Sequence, residues 1–185
     1  MDYQKGVDLV VEALELLGEK EKLNWRAIIL GTGLVQLEDA IRQLQELFPQ
    51  KVRAIIAFDA PLSHRIYAGA DALLMPSRYE PCGLAQMIAM RYGCIPIARS
   101  TGGLADTIID ASDLSAGTGF LFNESSRTAL LNTLERAFDL FRDPAAWQAL
   151  QKRGMPQDFT WKRSALEYLK LYEKLVTTRL DTISE

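Results

Sequence analysis

An alternation between two apolar periodicities constrains this chain most. Val7, Val10, Val11, Leu14 and Leu17 fall on one helical face, and Gly18 supplies a stop. Ala27-Ile28-Ile29-Leu30 is then a short apolar strand ending at Gly31-Thr32-Gly33. Leu34, Leu37, Ile41, Leu44 and Phe48 return to helical spacing, and Val52 to Phe58 reads as a second strand. Ser63 to Gly69 reads as a short helix capped by Ser63, and Ala72-Leu73-Leu74-Met75 as a strand closed by Pro76. Leu84 to Tyr92 forms a helix ended by Gly93, followed by the strand Cys94 to Ala98. Strands that are solidly apolar, rather than alternating, belong to a parallel sheet with helices on both faces. The repeated βα order predicts a doubly wound, Rossmann-like α/β fold.

Beyond position 119 the pattern changes. Gly119-Phe120-Leu121-Phe122 is a last short strand, and three helical segments follow. They run over Thr128 to Phe141, over Ala145 to Arg153 behind the cap Asp143-Pro144, and over Lys162 to Thr177. With no repeat and no linker, residues 1–185 read as a single domain whose terminal helices occupy about 128–177. A doubly wound fold normally starts with a central strand, whereas the first element here is a helix. The expectation is therefore a domain of a longer protein lacking its first strand, with a fold that begins on a helix as the alternative. A sheet so left open invites pairing with another chain, so self-association is also an expectation.

Charge and cysteine usage narrow the classes further. With 21 basic against 24 acidic residues, no bulk positive surface is available for nucleic acid or an anionic membrane. No apolar run of about 18 residues is present to suggest a membrane span, and the first residues lack a signal-peptide pattern. Cys82, Cys94 and the lone His64 cannot assemble a Cys/His zinc site. No metal ligand set and no Ser-His-Asp spacing is present, which argues against a covalent hydrolase.

The chemistry concentrates in Pro76-Ser77-Arg78-Tyr79-Glu80-Pro81-Cys82-Gly83-Leu84-Ala85-Gln86. This segment leaves a strand and opens a helix, which puts it at the carboxyl edge of the sheet where ligands bind in such folds. Amides of Gly83, Leu84 and Ala85 would be the open donors of a helix N-terminus, suited to a phosphate. Glu80 reads either as an acceptor for sugar hydroxyls or as a carboxylate that merely complements the helix dipole. Lys5, just before the first helix, is either an anion ligand or a solvated lysine offset by Asp2. Gly31-Thr32-Gly33 and Thr101-Gly102-Gly103-Leu104 each follow a strand, and each is either a close-approach loop or a simple turn. Cys82 sits where a helix terminus favours a thiolate, yet has no adjacent histidine, and His64 reads as a surface residue.

Taken together, Glu80-Pro81-Cys82-Gly83-Leu84, Thr101-Gly102-Gly103-Leu104-Ala105-Asp106-Thr107 and Gln4-Lys5-Gly6-Val7-Asp8-Leu9 resemble bacterial glycogen synthases and plant starch synthases. Ser63-His64-Arg65-Ile66 and Phe159-Thr160-Trp161 follow in that family's order, so the likeness runs the length of the chain. The resemblance implies one half of the two-domain GT-B architecture, the C-terminal, nucleotide-sugar-binding half. It implies transfer of glucose, with retention, from ADP-glucose or UDP-glucose to the non-reducing end of an α-1,4-glucan, with no metal or other cofactor. By the resemblance, Lys5 is the phosphate-binding lysine and Glu80 the glutamate on the donor glucose. Cys82, Gly83 and Leu84 supply main-chain donors, Phe58 stacks on the base, and Gly31 and Gly33 line its side. Gly102 and Gly103 join the donor site.

The departures also carry expectations. The family's arginine five residues before the lysine has no counterpart, and neither has the N-terminal acceptor domain. A threonine that often touches the phosphate is Ala85, and Ile88 stands where the wider superfamily has a second glutamate, as in the synthase branch. The isolated chain is expected to bind nucleotide weakly without turning over. Its place would be the bacterial cytoplasm or a plastid stroma. The alternative is a non-catalytic module that binds a nucleotide sugar or a partner. A dehydrogenase-type half ranks last, because Gln36 stands where a GxGxxG turn needs its third glycine.

Overall fold

A computed structural model describes residues 1–20 and 23–183. A single turn of 3-10 helix, Tyr3–Lys5, leads into α1 (Val7–Gly18), β1 (Ala27–Leu30), α2 (Val35–Leu47), β2 (Val52–Ile55) and α3 (Ala60–Gly69). Then come β3 (Ala72–Met75), α4 (Ala85–Tyr92), β4 (Ile95–Arg99), α5 (Gly102–Thr107) and β5 (Phe120–Phe122). The helices α6 (Arg127–Phe141), α7 (Pro144–Gly154) and α8 (Trp161–Ile183) finish the chain.

All pairings between these strands are parallel, as the apolar runs require. They form two ladders, β1–β2 and β3–β4–β5. β4 has a partner on each side and is buried through Ala98, whereas β3, paired on one edge, is half-buried throughout. Helices α1, α2 and α6 pack together on the strands, and α3, α4 and α5 form a second group. The main core joins Leu14, Leu17, Ile41, Leu44, Ile95, Ile97, Phe120 and Leu130, and a smaller cluster of Ala98, Leu104 and Ile108 lies against Met75 and Leu121. Burying such a side chain stabilises by about 1.5–3 kcal/mol each, which suffices to fix both helix groups.

Several local expectations are corrected. α1 does stop at Gly18, but for a packing reason: any side chain there would run into the Phe48 ring. β2 ends at Ile55 rather than Phe58, because β1 offers four residues and its register stops at Leu30↔Ile55. α3 starts three residues before Ser63, capped by Asp59, whose carboxylate accepts from the Leu62 amide at 2.8 Å. Gly93, at φ 78, ends α4 in the left-handed conformation expected of a terminating glycine. No helix among the described residues is long and apolar enough to cross a membrane.

Candidate functional site

The loop from Pro76 to Leu84 leaves β3 and delivers the chain to α4, so its residues stand at the carboxyl end of the strands. Leu84 caps α4 without a side-chain hydrogen bond, and the first-turn amides therefore remain open donors. Gly83 turns the chain into the helix at φ 73. A side chain there would press on Gln86, which is fully buried and holds the turn from inside. Its Nε2 donates to the carbonyls of Cys82 and Gly83 at 3.1 and 3.0 Å and to Thr107 Oγ1 at 3.2 Å.

Lys5 arrives from the other end of the sequence. Asp2 caps the 3-10 turn by accepting from the Lys5 amide at 2.8 Å, so its carboxylate serves the backbone rather than the ammonium. Lys5 Nζ instead donates to Glu80 Oε2 at 2.6 Å. Glu80 is only 6% exposed, and the buried Ser77 hydroxyl donates to the same oxygen at 3.2 Å. An ionised carboxylate so far from water needs these partners, since burying it unpaired would be costly. Lys5, Met75, Ser77, Glu80, Gly83 and Leu84 line one concavity of about 260 Å³. The open α4 terminus, one cation and one anion thus share a single cleft. Such a set can hold an anionic group beside a polyhydroxyl group.

Around this cleft, ties from other elements fix the loop. The Arg78 amide donates to Gln4 O at 2.7 Å, and Gln4 Nε2 donates to Tyr79 O at 3.1 Å. The Arg78 guanidinium grips Asp8 with two bonds of 2.8 and 2.7 Å. Those bonds hold the Asp8 carboxyl below the usual range and push Arg78 higher still. From β4, Arg99 donates to the Ser77 carbonyl at 2.8 Å, to Asn123 O at 3.3 Å and to the Arg78 carbonyl. Asp8 and Arg99 were not singled out from the sequence. The available signal for Arg99 is a cation at the carboxyl end of an otherwise apolar strand; Asp8 and Arg78, 70 residues apart, gave none.

The other sequence candidates are scattered around the site and beyond it. Gly102, at φ 44, and Gly103 pack against the back of the loop, where added side chains would overlap the carbonyls of Glu80 and Cys82. The Gly103 amide is taken by Glu80 O at 3.0 Å, so these glycines buttress the loop. Gly31 and Gly33 lie against Met1, whose ammonium donates to Thr32 O and whose carbonyl accepts from Leu34 N at 2.9 Å. Phe58 stands 91% exposed after β2, outside the cleft's lining. Cys82 is exposed beside the cleft; Cys94 is buried, and burial pushes its thiol up to about 12. His64 is exposed, with Nδ1 3.3 Å from the Tyr92 hydroxyl.

A parallel α/β body with a cleft at the carboxyl ends of its strands, built from a loop, a helix terminus and an N-terminal lysine, agrees with what known proteins show. Residues 1–149 match the family "Glycosyl transferases group 1", and the chain belongs to that family. Its fold is that of one half of a GT-B glycosyltransferase. Among individual proteins it is similar to the glycogen synthase of Anaeromyxobacter dehalogenans, at 47% identity over 95% of this chain and 36% of that protein. The glycogen synthase of Thioalkalivibrio sulfidiphilus is also 47% identical, over 96% of this chain and 37% of its own. The solved catalytic domain of starch synthase IV from Arabidopsis thaliana, bound to ADP and acarbose, superposes with a TM-score of 0.81 and 37% identity, over 94% of this chain and 36% of that one. The chain thus spans little more than a third of the length of these relatives.

Proposed function

We propose that this chain is the donor-binding half of a retaining glucosyltransferase of glycogen or starch synthesis. In this reading it takes ADP-glucose, or UDP-glucose, and the glucose passes to the non-reducing end of an α-1,4-glucan. The acceptor would be held by the rest of a longer protein, in a bacterial cytoplasm or a plastid stroma. The observation that carries the reading is the Lys5–Glu80 pair, 2.6 Å apart at the mouth of a cleft headed by the open end of α4. The ADP seen in the starch synthase IV structure supports a nucleotide diphosphate as the ligand.

The chemistry follows from where charge develops. Breaking the glucosyl–phosphate bond builds positive charge on the sugar and negative charge on the departing diphosphate. Lys5 and the α4 amides face that diphosphate and stabilise it in place of solvent. Lys5, about half exposed, exchanges its Glu80 partner for a phosphate oxygen. Glu80 is then released to accept hydrogen bonds from glucose hydroxyls and to hold the sugar for attack. No metal takes part in this scheme, and nothing in it needs a covalent intermediate on Cys82.

Calorimetric titration with ADP, ADP-glucose and UDP-glucose at low salt tests the reading, with Lys5→Ala and Glu80→Ala alongside. The expected result is binding that Lys5→Ala weakens at least tenfold for all three ligands. Absence of binding, or binding indifferent to both substitutions, sinks it. Glucan extension by this chain alone would refute the narrower proposal that it is only the donor half.

A further inference from the structure

Glu80 is the residue on which the proposed donor site turns, yet its own bonds leave it under-determined. Lys5 is the partner that a bound diphosphate would remove, which leaves the Ser77 hydroxyl as the one other side chain hydrogen-bonded to the Glu80 carboxylate among the described residues. The direction of the carboxylate then depends on Ser77, 2% exposed, and Ser77 in turn on whatever fixes its backbone. That is Arg99. Its Nε donates to the Ser77 carbonyl at 2.8 Å and its Nη2 to the next carbonyl, that of Arg78, while Nη1 reaches Asn123 O at 3.3 Å beyond β5. A guanidinium is planar and presents its donors as a rigid fork. Two successive carbonyls seated on such a fork cannot rotate independently.

We propose that Arg99 is a positioning residue of the donor site: by clamping the carbonyls of Ser77 and Arg78 to the end of β4, it aims the Ser77 hydroxyl and through it the Glu80 carboxylate at the donor sugar. This rests on the reading of the cleft as a nucleotide-sugar site. It separates two parts of that ligand, because the hydrogen bonds of Arg99 go to the carbonyls of Ser77, Arg78 and Asn123, and among the described residues none goes to Lys5 or the α4 amides. Loss of the clamp therefore harms recognition of the sugar and spares recognition of the diphosphate.

The test titrates ADP and ADP-glucose into the wild-type chain, Arg99→Lys and Arg99→Met, with helical content checked by circular dichroism. The ratio of the ADP-glucose Kd to the ADP Kd is expected to rise at least fivefold in Arg99→Met, with the ADP Kd within twofold of wild type. Arg99→Lys, which keeps the charge and loses the fork, should behave like Arg99→Met. In a Glu80→Gln background, Arg99→Met should move the ratio no further. Equal weakening of both ligands would mean general damage to the loop and would overturn the proposal, as would an unchanged ratio. The Gly103 amide, bonded to Glu80 O, gives a second readout that needs no ligand. Its hydrogen exchange is expected to speed at least tenfold in Arg99→Met, and unaltered exchange would overturn the clamp. If the wild type binds neither nucleotide, the donor-site reading fails, and the Gly103 exchange still decides whether Arg99 fixes Glu80.

Discussion

On the α4 side of the site, residues from three separate stretches of sequence hold one another; on the β2 side, Phe58 projects 91% exposed. Lys5, Ser77, Glu80, Gln86 and Arg99 are joined by side-chain hydrogen bonds or by bonds to the same loop. Gly31 and Gly33 lie against the Met1 segment, and their amides donate to Ile55 O at 3.1 Å and Glu38 Oε1 at 2.9 Å, with no tie to the α4-side loop among the bonds of the described residues. The difference teaches where binding energy resides. A preorganised set of charged and main-chain donors loses little freedom when a diphosphate sugar docks. A lone exposed ring has to be ordered by the ligand it receives, and contributes correspondingly less. The α4 side is thus expected to dominate affinity and the β2 side to adjust it.

The largest contrast should come from the two thiols. Cys82 is exposed on the α4-side loop, whereas Cys94 is buried with its thiol pushed up to about 12. At neutral pH that displacement alone leaves roughly a thousandfold less thiolate than an ordinary cysteine has, before the poorer access of the reagent is counted. A disulfide reagent should modify Cys82 at least a thousandfold faster than Cys94, followed by mass spectrometry of the native protein. ADP-glucose should slow Cys82 and leave Cys94 alone. Equal slowing of both would show that the ligand stiffens the whole fold rather than covering the α4 side.

Next in size is the buttress behind the loop. Gly103 is buried, and a methyl group there would overlap the Cys82 carbonyl, which has no flexible end to yield. Gly103→Ala should cost about 3 kcal/mol, lowering Tm by roughly 6–12 °C for a chain of this size. Gly31→Ala, where the nearest groups are the flexible end of the Met1 side chain, should cost less despite its φ of 153°. Calorimetry of the pair measures the contrast directly, and equal costs would erase the distinction between a packed side and an open one.

How much of this was legible in the sequence depends on the reach of each contact. The βα order, the open start of α4 and Gly93 as its terminator are local matters, readable over a few residues. The stop at Gly18 was legible, but not its packing reason, the Phe48 ring thirty positions away; the α3 cap was misplaced because Asp59 and Ser63 are both good cap residues. Val52 to Phe58 looked like one strand because apolarity does not count the partner's residues; β1 does, and it offers four. Lys5 and Glu80 were visible as two candidates, but not as a pair. Their 2.6 Å contact spans 75 residues and exists only once the 3-10 turn is laid across the end of β3. Arg99 acts on backbone carbonyls, which leave no residue-type signature in the partner segment.

The pair that ties the loop to α1 has a smaller, pH-dependent effect. The Arg78 guanidinium beside Asp8 holds that carboxyl below its ordinary value, and the Asp8 side chain is partly buried. Burial alone would raise Asp110, yet amide bonds from Leu121 and Ser112, together with Arg136, outweigh it and leave that carboxyl lowered too. A carboxyl depressed on folding stabilises the native state above its unfolded value near 3.9, and this contribution disappears as pH falls through the folded value. Stability should therefore be level near neutrality and drop below about pH 4. Asp8→Asn should remove about 1 kcal/mol or less at pH 7, given the partial exposure of Arg78, and flatten the acid limb. Urea midpoints at pH 7, 5 and 3.5 check the slope. An acid limb unchanged by Asp8→Asn and Asp110→Asn would mean that other carboxylates govern it.

The smallest effect on stability is expected at Phe58, and it tests the open side most sharply. A ring 91% exposed contributes almost nothing to the core, so Phe58→Ala should leave Tm unchanged within the equivalent of about 0.5 kcal/mol. In the proposed site the same ring stacks on the nucleobase, a contact worth about 1 kcal/mol when the ring must be ordered first. ADP should then bind roughly fivefold more weakly, while inorganic diphosphate, which has no base, binds as before. Phe58→Tyr should restore the affinity, because the stacking face is retained. A Phe58→Ala chain that binds ADP as tightly as the wild type would remove the ring from the site. Base recognition would then fall to the Gly31–Gly33 turn, and the β2 side would be a surface like any other.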